Sequence, residues 1–278
     1  MGLLDNHTAL VAGGSRGAGR GIAIALGEEG CRVIVTGRSR EGRPSADGAP
    51  GTIEETARAV DEAGGTGVPL ACDHGSPEAV REMVARITAE YGRIDHALCA
   101  VWGDNEGVGF SAGPSQDFFS RPFHEQPPER WERTIVSGVR SHLILATCLA
   151  PHMIKNGSGL LGVVSFNAGG KWLGDLHYDL AKSGMNRLAF NLAQELTPHG
   201  VCSVALSPGH MRTERVQAVL EDLTGTESPL YLGRACAALA GDPERIRWSG
   251  QALFVADLAR EYHFTDEDGS QPPRFELP

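Results

Sequence analysis

Short apolar runs alternate along this chain with longer segments in which apolar residues recur every three or four positions. The runs have the length of buried strands and are bounded by turn residues, and the longer segments have the period of helices. Because neighbouring parallel strands need a crossover connection, this alternation is typical of a parallel sheet with helices between its strands. We therefore expect an α/β fold.

The pattern predicts seven strands and six helices. The strands cover residues 9–12, 32–36, 67–71, 96–101, 160–166, 201–206 and 252–255, and the helices cover 17–29, 53–63, 77–91, 128–155, 178–197 and 229–240. This order predicts a doubly wound Rossmann sheet of seven parallel strands with helices on both faces. With 278 residues, a single domain spanning residues 1–278 is expected. It would carry a long insert at 103–127, near the substrate pocket, and a C-terminal tail at 266–278.

The balance of charge argues against polyanionic partners. Lysine and arginine number 25 against 35 aspartates and glutamates, a formal net charge of −10. Binding to nucleic acid or to an anionic membrane is therefore not expected. No apolar run approaches the roughly 18 residues of a membrane span, and the first residues show neither a basic export signal nor a lipidation signal. We expect a cytoplasmic protein.

Six cysteines stand far apart in the sequence. Zinc sites and redox motifs need closely spaced pairs, which this chain lacks. We expect buried, reduced thiols and no metal site.

A glycine-rich loop follows the first predicted strand and opens the first helix. Gly13, Gly17 and Gly19 can supply a tight turn, a close backbone approach to a pyrophosphate and close helix packing. The helix N-terminus adds unpaired N–H groups and positive potential. The loop therefore predicts a nucleotide site, which also includes Ser15, Arg16 and Ala18. A glycine-rich turn without a ligand is the alternative.

The end of the second strand indicates which nucleotide. A site selective for NAD(H) usually places an acid there to hold the ribose hydroxyls, whereas this chain has Gly37 followed by Arg38. Guanidinium groups suit a 2′-phosphate, and Arg16 lies in the preceding loop. We expect NADP(H) rather than NAD(H). Arg40 and Arg43, just beyond, are as readily interpreted as solvated loop charges.

Tyr178 and Lys182 are spaced four residues apart at the start of a predicted helix, which places both side chains on one face. The chain holds four tyrosines and three lysines, so chance gives about 0.04 such pairs. An ammonium group beside a phenol favours the phenolate and brings its pKa toward a range useful for proton transfer. The pair therefore predicts a general acid or base, and an ordinary helix-surface pair is the alternative.

Ser165 ends an apolar run thirteen residues before Tyr178, so it lies at the carboxyl end of a predicted strand. Open α/β sheets bind ligands at that edge. Its hydroxyl could donate to a substrate carbonyl oxygen while Tyr178 delivers the proton.

Together these features resemble the short-chain dehydrogenase/reductase family over roughly residues 7–258. The matching residues are Gly13-x-x-x-Gly17-x-Gly19, Ser165, Tyr178-x-x-x-Lys182, and Ser207-Pro208-Gly209 followed by Thr213. The resemblance implies hydride transfer between a nicotinamide and a carbonyl or alcohol substrate. It also implies that Lys182 holds the nicotinamide ribose, and that Ser165 polarises the carbonyl.

Further cofactor contacts and the assembly follow from the same resemblance. Asp73, with His74 beside it, matches the adenine position, and Pro208, Gly209 and Thr213 match the turn that reaches the nicotinamide amide. Family members commonly assemble through the long helices, so a homodimer or homotetramer is implied. A lid is implied after Thr213, to about residue 227.

The chain also departs from the family pattern. Where the family usually shows Asn-Asn-Ala-Gly, this chain reads Cys99-Ala100-Val101-Trp102, and Gly138 stands at the position of a helix asparagine. The backbone carbonyl at that position is thought to hold a relay water in the family, and glycine retains a carbonyl. The glycine, the long insert and the acidic tail resemble those of a divergent subgroup.

The insert and its flanks are rich in aromatic residues, which predicts an apolar wall over the pocket or a small core of the insert itself. They are Trp102, Phe110, Phe118, Phe119, Phe123 and Trp131. Asp104, Glu106, His124 and Lys171 could favour a polar substrate group.

Two other functions stay open at this point. The departures would suit a catalytically silent NADP-binding regulator, although Ser165, Tyr178 and Lys182 argue against it. A methyltransferase also places its cofactor behind a glycine-rich first loop, but usually keeps an acid where this chain has Gly37.

Overall fold

The computed structural model describes residues 2–45, 47–103 and 121–277. Seven parallel strands form one sheet in the order β3-β2-β1-β4-β5-β6-β7. They are β1 Thr8–Ala12, β2 Arg32–Gly37, β3 Thr66–Ala71, β4 His96–Cys99, β5 Gly159–Val164, β6 Val201–Ser207 and β7 Ala252–Phe254. The predicted doubly wound parallel sheet is confirmed, and the strand order reverses between β1 and β4, where such sheets bind ligands.

Helices connect the strands. They are α1 Gly17–Glu28, α2 Ile53–Glu62, α3 Pro77–Tyr91, α4 Ser141–Asn156, α5 Leu176–Leu196, α6 Glu214–Gln217, α7 Pro229–Gly241 and α8 Val255–Tyr262. The six predicted helices are present. The prediction omitted α6, a single turn too short to show a period, and α8, which begins at Val255 where the last strand was expected to continue.

Each face of the sheet is covered by its own set of helices. Alternate side chains of β1 point to opposite faces, so that Val11 joins the core under α1, α2, α7 and α8 and Leu10 joins the core under α3 and α4. Helix α5 packs on a third, smaller cluster through Met185 and Ala189.

Side-chain caps set where several helices begin. Thr52 and Glu55 form a capping box at α2, and Ser76 caps α3 ahead of a proline at its first position. Asp175 caps α5 by accepting a hydrogen bond from the backbone N–H of Tyr178. Because of this cap, α5 begins two residues before Tyr178, which therefore lies in its first turn.

The long helix predicted over residues 128–155 is not α-helical throughout. The stretch Glu132–Arg140 is a π-helix that runs into α4. Such i→i+5 stretches are rare and occur frequently at functional sites. This stretch contains Gly138, one of the departures from the family pattern.

The combined stretch Glu132–Asn156 is long and apolar enough to cross a membrane by length and composition alone, and within the described residues it is the single such helix. Its residues Ile144, Leu145, Leu149 and Met153 are buried in the core under α3 and α4. We interpret it as a core helix of the fold.

The C-terminal segment returns to the carboxyl edge of the sheet. Asp266 is buried and accepts hydrogen bonds from the backbone N–H and the hydroxyl of Ser228, at the start of α7. Further on, the ring of Phe275 lies against Phe166 and His210, which follow β5 and β6, with ring centroids 6.0 Å and 6.4 Å apart. The segment thus borders the edge where the candidate site lies.

Candidate active site

The glycine-rich loop between β1 and α1 is folded tightly against its neighbours. Gly13 has φ of +77°, a conformation that side chains disfavour, and a Cβ there would lie 2.9 Å from the carbonyl carbon of Ala100. A Cβ on Gly19 would overlap the carbonyl oxygen of Gly13. The loop therefore keeps a bare backbone surface at the switch point of the sheet.

The N-terminus of α1 already holds a negative charge. The backbone N–H of Gly17 donates to both carboxylate oxygens of Glu214, at 2.9 Å and 3.2 Å. Thr213, immediately before Glu214, lies so close that a Cβ on Gly17 would be 3.4 Å from its methyl group. This part of the loop is therefore able to bind an anion, and the segment after β6 supplies one.

Arg16 lies immediately before α1. Arg16 donates to the backbone oxygens of Pro50 and Gly51 and to the hydroxyls of Ser39 and Ser45, and so fixes the loop after β2.

Other charges lie close to Arg16. Burial lowers its pKa, the charges of Asp47 and Glu214 raise it, and those of Arg215 and Arg38 lower it. Arg215 forms a 2.5 Å ion pair with Asp47. Three guanidinium groups thus lie near the predicted phosphate positions.

The end of β2 has the features expected from the sequence. Gly37 is buried beside Ser15, and a Cβ there would lie 4.0 Å from the Ser15 side chain. Arg38 follows with an exposed side chain. Arg40 and Arg43 are paired through backbone hydrogen bonds in an exposed turn.

Asp73 and His74 follow β3 in different settings. The Asp73 carboxylate accepts the N–H of Gly75 at 2.9 Å. His74 is buried, and burial lowers its pKa to about 4. The Thr36 hydroxyl donates to a backbone carbonyl, so it accepts from Nε2 of His74 at 2.8 Å. This leaves Nδ1 of His74 as a buried acceptor with no partner among the described residues.

Ser165, Tyr178 and Lys182 are gathered where β5 meets α5. The buried Ser165 hydroxyl donates to the backbone oxygen of Lys182 at 3.0 Å, and Asn186 adds a hydrogen bond to the backbone oxygen of Phe166 at 2.9 Å. The Nζ atom of Lys182 lies 5.4 Å from the centroid of the Tyr178 ring. The three predicted side chains therefore lie on one compact unit at the carboxyl edge of the sheet.

Trp102 contacts this unit directly. The Lys182 Nζ atom is 4.4 Å from its ring centroid. Its ring also meets the ring of Tyr178 edge to face, at 5.6 Å and 81°. The sequence marked Trp102 as a departure and as part of an aromatic wall, but spacing gave no sign of contact with Lys182.

The carbonyl of Gly138 is engaged by His142. Nδ1 of His142 lies 2.8 Å from the oxygen of Gly138, and Nε2 lies 3.1 Å from the oxygen of Cys99 at the end of β4. Burial and the charge of Lys182 lower the pKa of His142 to about 4, against the effect of the two carbonyls. The imidazole is therefore neutral near pH 7 and donates to one carbonyl at a time.

The aromatic wall is only partly within the described residues. Phe110, Phe118, Phe119, Asp104 and Glu106 lie outside them. Phe123 and Trp131 are largely exposed, His124 is exposed too, and Lys171 donates to the backbone oxygen of Leu277 at 2.5 Å.

The segment after β6 is held at its far end. Backbone hydrogen bonds join Glu227 to His210 and Arg212. The Glu227 carboxyl is buried against Gly209. Burial, with Asp266 acting in the same direction, raises its pKa to about 7. Residues 211–227, which we call the β6–α7 segment, are therefore fixed at one end by Glu227 and touch the glycine-rich loop through Glu214.

Comparison with known sequences gives one consistent family. The model of the short chain dehydrogenase family matches residues 7–224. Dehydrogenase/reductase SDR family member 1 of Mus musculus is 31% identical over an alignment of 282 positions, which covers 96% of this chain and 85% of that protein. This relative bears out the divergent subgroup inferred from the glycine, the insert and the tail.

Solved structures agree. A short chain dehydrogenase from Mycobacterium thermoresistibile has a TM-score of 0.81 at 25% identity, covering 99% of this chain and 94% of its own. A metagenomic short-chain oxidoreductase in complex with NADP has a TM-score of 0.67 at 26% identity, covering 91% and 97%.

Proposed function

Because this chain belongs to the short-chain dehydrogenase/reductase family and is an oxidoreductase acting on CH–OH groups, we propose that it uses NADP(H) to interconvert a small carbonyl and alcohol, with Tyr178 as the general acid or base. The observation that carries this proposal is the contact set that joins Ser165, Lys182 and Tyr178 at the carboxyl edge of the sheet.

The residues around α1 fit a dinucleotide phosphate. The backbone surface at Gly13 and Gly19 leaves room for close approach, and the N–H of Gly17 already binds a carboxylate. Arg16 and Arg38 would face the 2′-phosphate, and no acid stands at Gly37 to hold a free ribose hydroxyl pair. The unpartnered Nδ1 of His74 would accept a hydrogen bond on the adenine side. Pro208, Gly209 and Thr213 would close over the nicotinamide end.

The dinucleotide, when bound, supplies or accepts the hydride. The chain's own residues polarise the substrate oxygen and transfer the proton to or from it. Ser165 would turn its hydroxyl from the Lys182 carbonyl to the substrate oxygen and polarise it. Tyr178 would donate its phenolic proton to that oxygen in reduction, or remove it in oxidation. The Lys182 ammonium would favour the phenolate left behind and hold the ribose.

Rapid mixing of the protein with NADPH and a panel of ketones and aldehydes tests this function. The wild type should oxidise NADPH with at least one carbonyl, and Tyr178→Phe should bind NADPH with unchanged affinity while turnover falls by two or more powers of ten. NADPH binding without oxidation by any carbonyl would instead favour the silent regulator, and unchanged turnover in Tyr178→Phe would remove Tyr178 from the mechanism.

The assembly and the location remain parts of the proposal. Helices α4 and α5 expose large apolar side chains, which are Leu143, Ile154, Leu176, Leu180 and Phe190. These surfaces suit a homodimer or homotetramer through the long helices, and light scattering would give the mass. The acidic charge suits a cytoplasmic protein that acts on a small molecule and binds neither nucleic acid nor membrane.

A further inference from the structure

Trp102 and Gly138 form a matched pair. A Cβ on Gly138 would lie 3.2 Å from Cζ3 and 3.3 Å from Cε3 of the Trp102 indole, and 3.3 Å from the methyl group of Met185. These separations are shorter than ordinary carbon–carbon contacts. A side chain at position 138 would therefore require the indole or the Met185 methyl group to shift by a few tenths of an ångström, so the two departures from the family pattern depend on each other.

The indole lies where it acts on the Lys182 ammonium. Lys182 is buried, and its Nζ atom lies 4.4 Å from the indole centroid and 4.0 Å from the sulfur of Met185. Burial disfavours a charged amine, whereas the face of an indole attracts a cation more strongly than other aromatic rings do. The indole therefore compensates part of the cost of holding the charge in this place.

The same indole also locates the phenol ring. Its edge-to-face contact with Tyr178 is a preferred arrangement of aromatic pairs. One ring thus touches both members of the Tyr178–Lys182 pair.

His142 contacts the segment that carries the indole. Its imidazole lies 3.1 Å from the oxygen of Cys99, three residues before Trp102, and 2.8 Å from the oxygen of Gly138, which lies next to the indole. Because the neutral ring donates to one of these carbonyls at a time, it holds the backbone at either Cys99 or Gly138.

We propose that Trp102 is a positioning residue of the reaction: seated against Gly138, its indole face holds the Lys182 ammonium beside the Tyr178 ring. The inference rests on the proposed function, in which Lys182 and Tyr178 act as a pair. A tryptophan that only lined the substrate pocket would affect substrate affinity instead.

Two substitutions at position 102 separate these roles. Trp102→Phe keeps an aromatic face and should retain kcat within about threefold, whereas Trp102→Leu removes it and should lower kcat about tenfold or more with little change in KM for the carbonyl. Trp172→Leu is the matched control, since Trp172 is an exposed indole outside this contact set. A raised KM with unchanged kcat in Trp102→Leu overturns the proposal.

The partner position gives a second test. Gly138→Ala should lower kcat in the presence of Trp102 and should have little effect in a Trp102→Phe background, where the ring is smaller. Equal effects of Gly138→Ala in both backgrounds would show that the pair is not coupled, and would overturn the proposal.

A measurement without turnover completes the design. The chain has three lysines, at positions 155, 171 and 182, so amine acetylation followed by mass spectrometry reports each one. Trp102→Leu should speed acetylation of Lys182 several-fold relative to the exposed Lys155, and Trp102→Phe should not. Unchanged protection in Trp102→Leu overturns the proposal.

The two proposals fail in distinguishable ways. If none of the carbonyls tested supports NADPH oxidation by the wild type, the proposed function fails, and the role of Trp102 in a reaction fails with it. If the wild type turns over and Trp102→Leu matches it, only the role of Trp102 fails.

Discussion

Arg130 and Asp175 form an ion pair in which neither side chain is exposed, with Nη1 2.5 Å from Oδ2. The other oxygen of Asp175 accepts the backbone N–H of Tyr178 at 2.8 Å, so the pair fixes the first turn of α5. Burial raises the pKa of Asp175, but hydrogen bonds from Arg130, Tyr178 and Gln126 outweigh it and hold that pKa below its ordinary value. A residue just after the insert thus positions the helix that carries the predicted proton donor.

Removing one member of this pair should be costly. Arg130→Met leaves a buried carboxylate, and Asp175→Asn keeps a capping side chain but leaves a buried guanidinium. Each should lower the free energy of unfolding by about 3 kcal/mol. Urea unfolding measures these values, and the double variant should lose less than the sum of the two. Additive losses below about 1 kcal/mol would mean that the pair is not a coupled unit.

The sequence predicted the framework of the site better than its internal contacts. Short apolar runs located β1 to β7. Five of these strands are buried on both faces, which makes them read as apolar runs, whereas the edge strands β3 and β7 are only partly buried. The motifs located Ser165, Tyr178 and Lys182, because each lies at a fixed position relative to its own strand or helix.

The remaining contacts join residues that are distant in sequence. Arg130 pairs with Asp175 across 45 positions, and Gly17 with Glu214 across 197. No spacing rule connects such residues. The departure at Gly138 was the one available signal, since the space that it leaves is filled by Trp102.

Glu214 should compete with the cofactor. Its carboxylate lies on the N–H of Gly17 at the N-terminus of α1, where a pyrophosphate would bind. Glu214→Gln removes the charge and should lower the Kd for NADPH about three- to fivefold, in line with the worth of a charge at a helix terminus. Fluorescence titration with NADPH measures the change.

A matched control separates this contact from a general effect of charge. Glu221→Gln removes an exposed charge from the same β6–α7 segment and should leave the Kd for NADPH unchanged. An equal fall in the Kd for NADPH in both variants would show that the effect comes from net charge rather than from the contact with Gly17.

Glu227 should make stability fall between acid and neutral pH. Burial raises its pKa from 4.5 to about 7, so the folded state holds this proton more tightly than the unfolded state does. The resulting stability is fully present below pH 4.5 and is lost as pH rises through about 7. At about 1.4 kcal/mol per unit, the loss approaches roughly 3 kcal/mol.

Glu227→Gln removes this dependence. Urea unfolding at pH 5 and at pH 8 gives the free energy of unfolding of the variant minus that of the wild type. This difference should be more favourable to the variant at pH 8 than at pH 5. The same difference at pH 5 and pH 8 would show that Glu227 does not titrate in this range.

Arg38 should set the preference for NADPH. It follows β2 directly after Gly37 and is exposed beside the predicted ribose position, and a guanidinium–phosphate interaction is strong and directional. Arg38→Ser should raise the Kd for NADPH about tenfold or more and leave the Kd for NADH nearly unchanged. Thermal unfolding with each nucleotide measures this, because a ligand stabilises by RT ln(1 + [L]/Kd). Arg40→Ser, in the exposed turn nearby, is the control and should behave like the wild type. If NADH stabilised the wild type more than NADPH does, Arg38 would not have a phosphate-binding role.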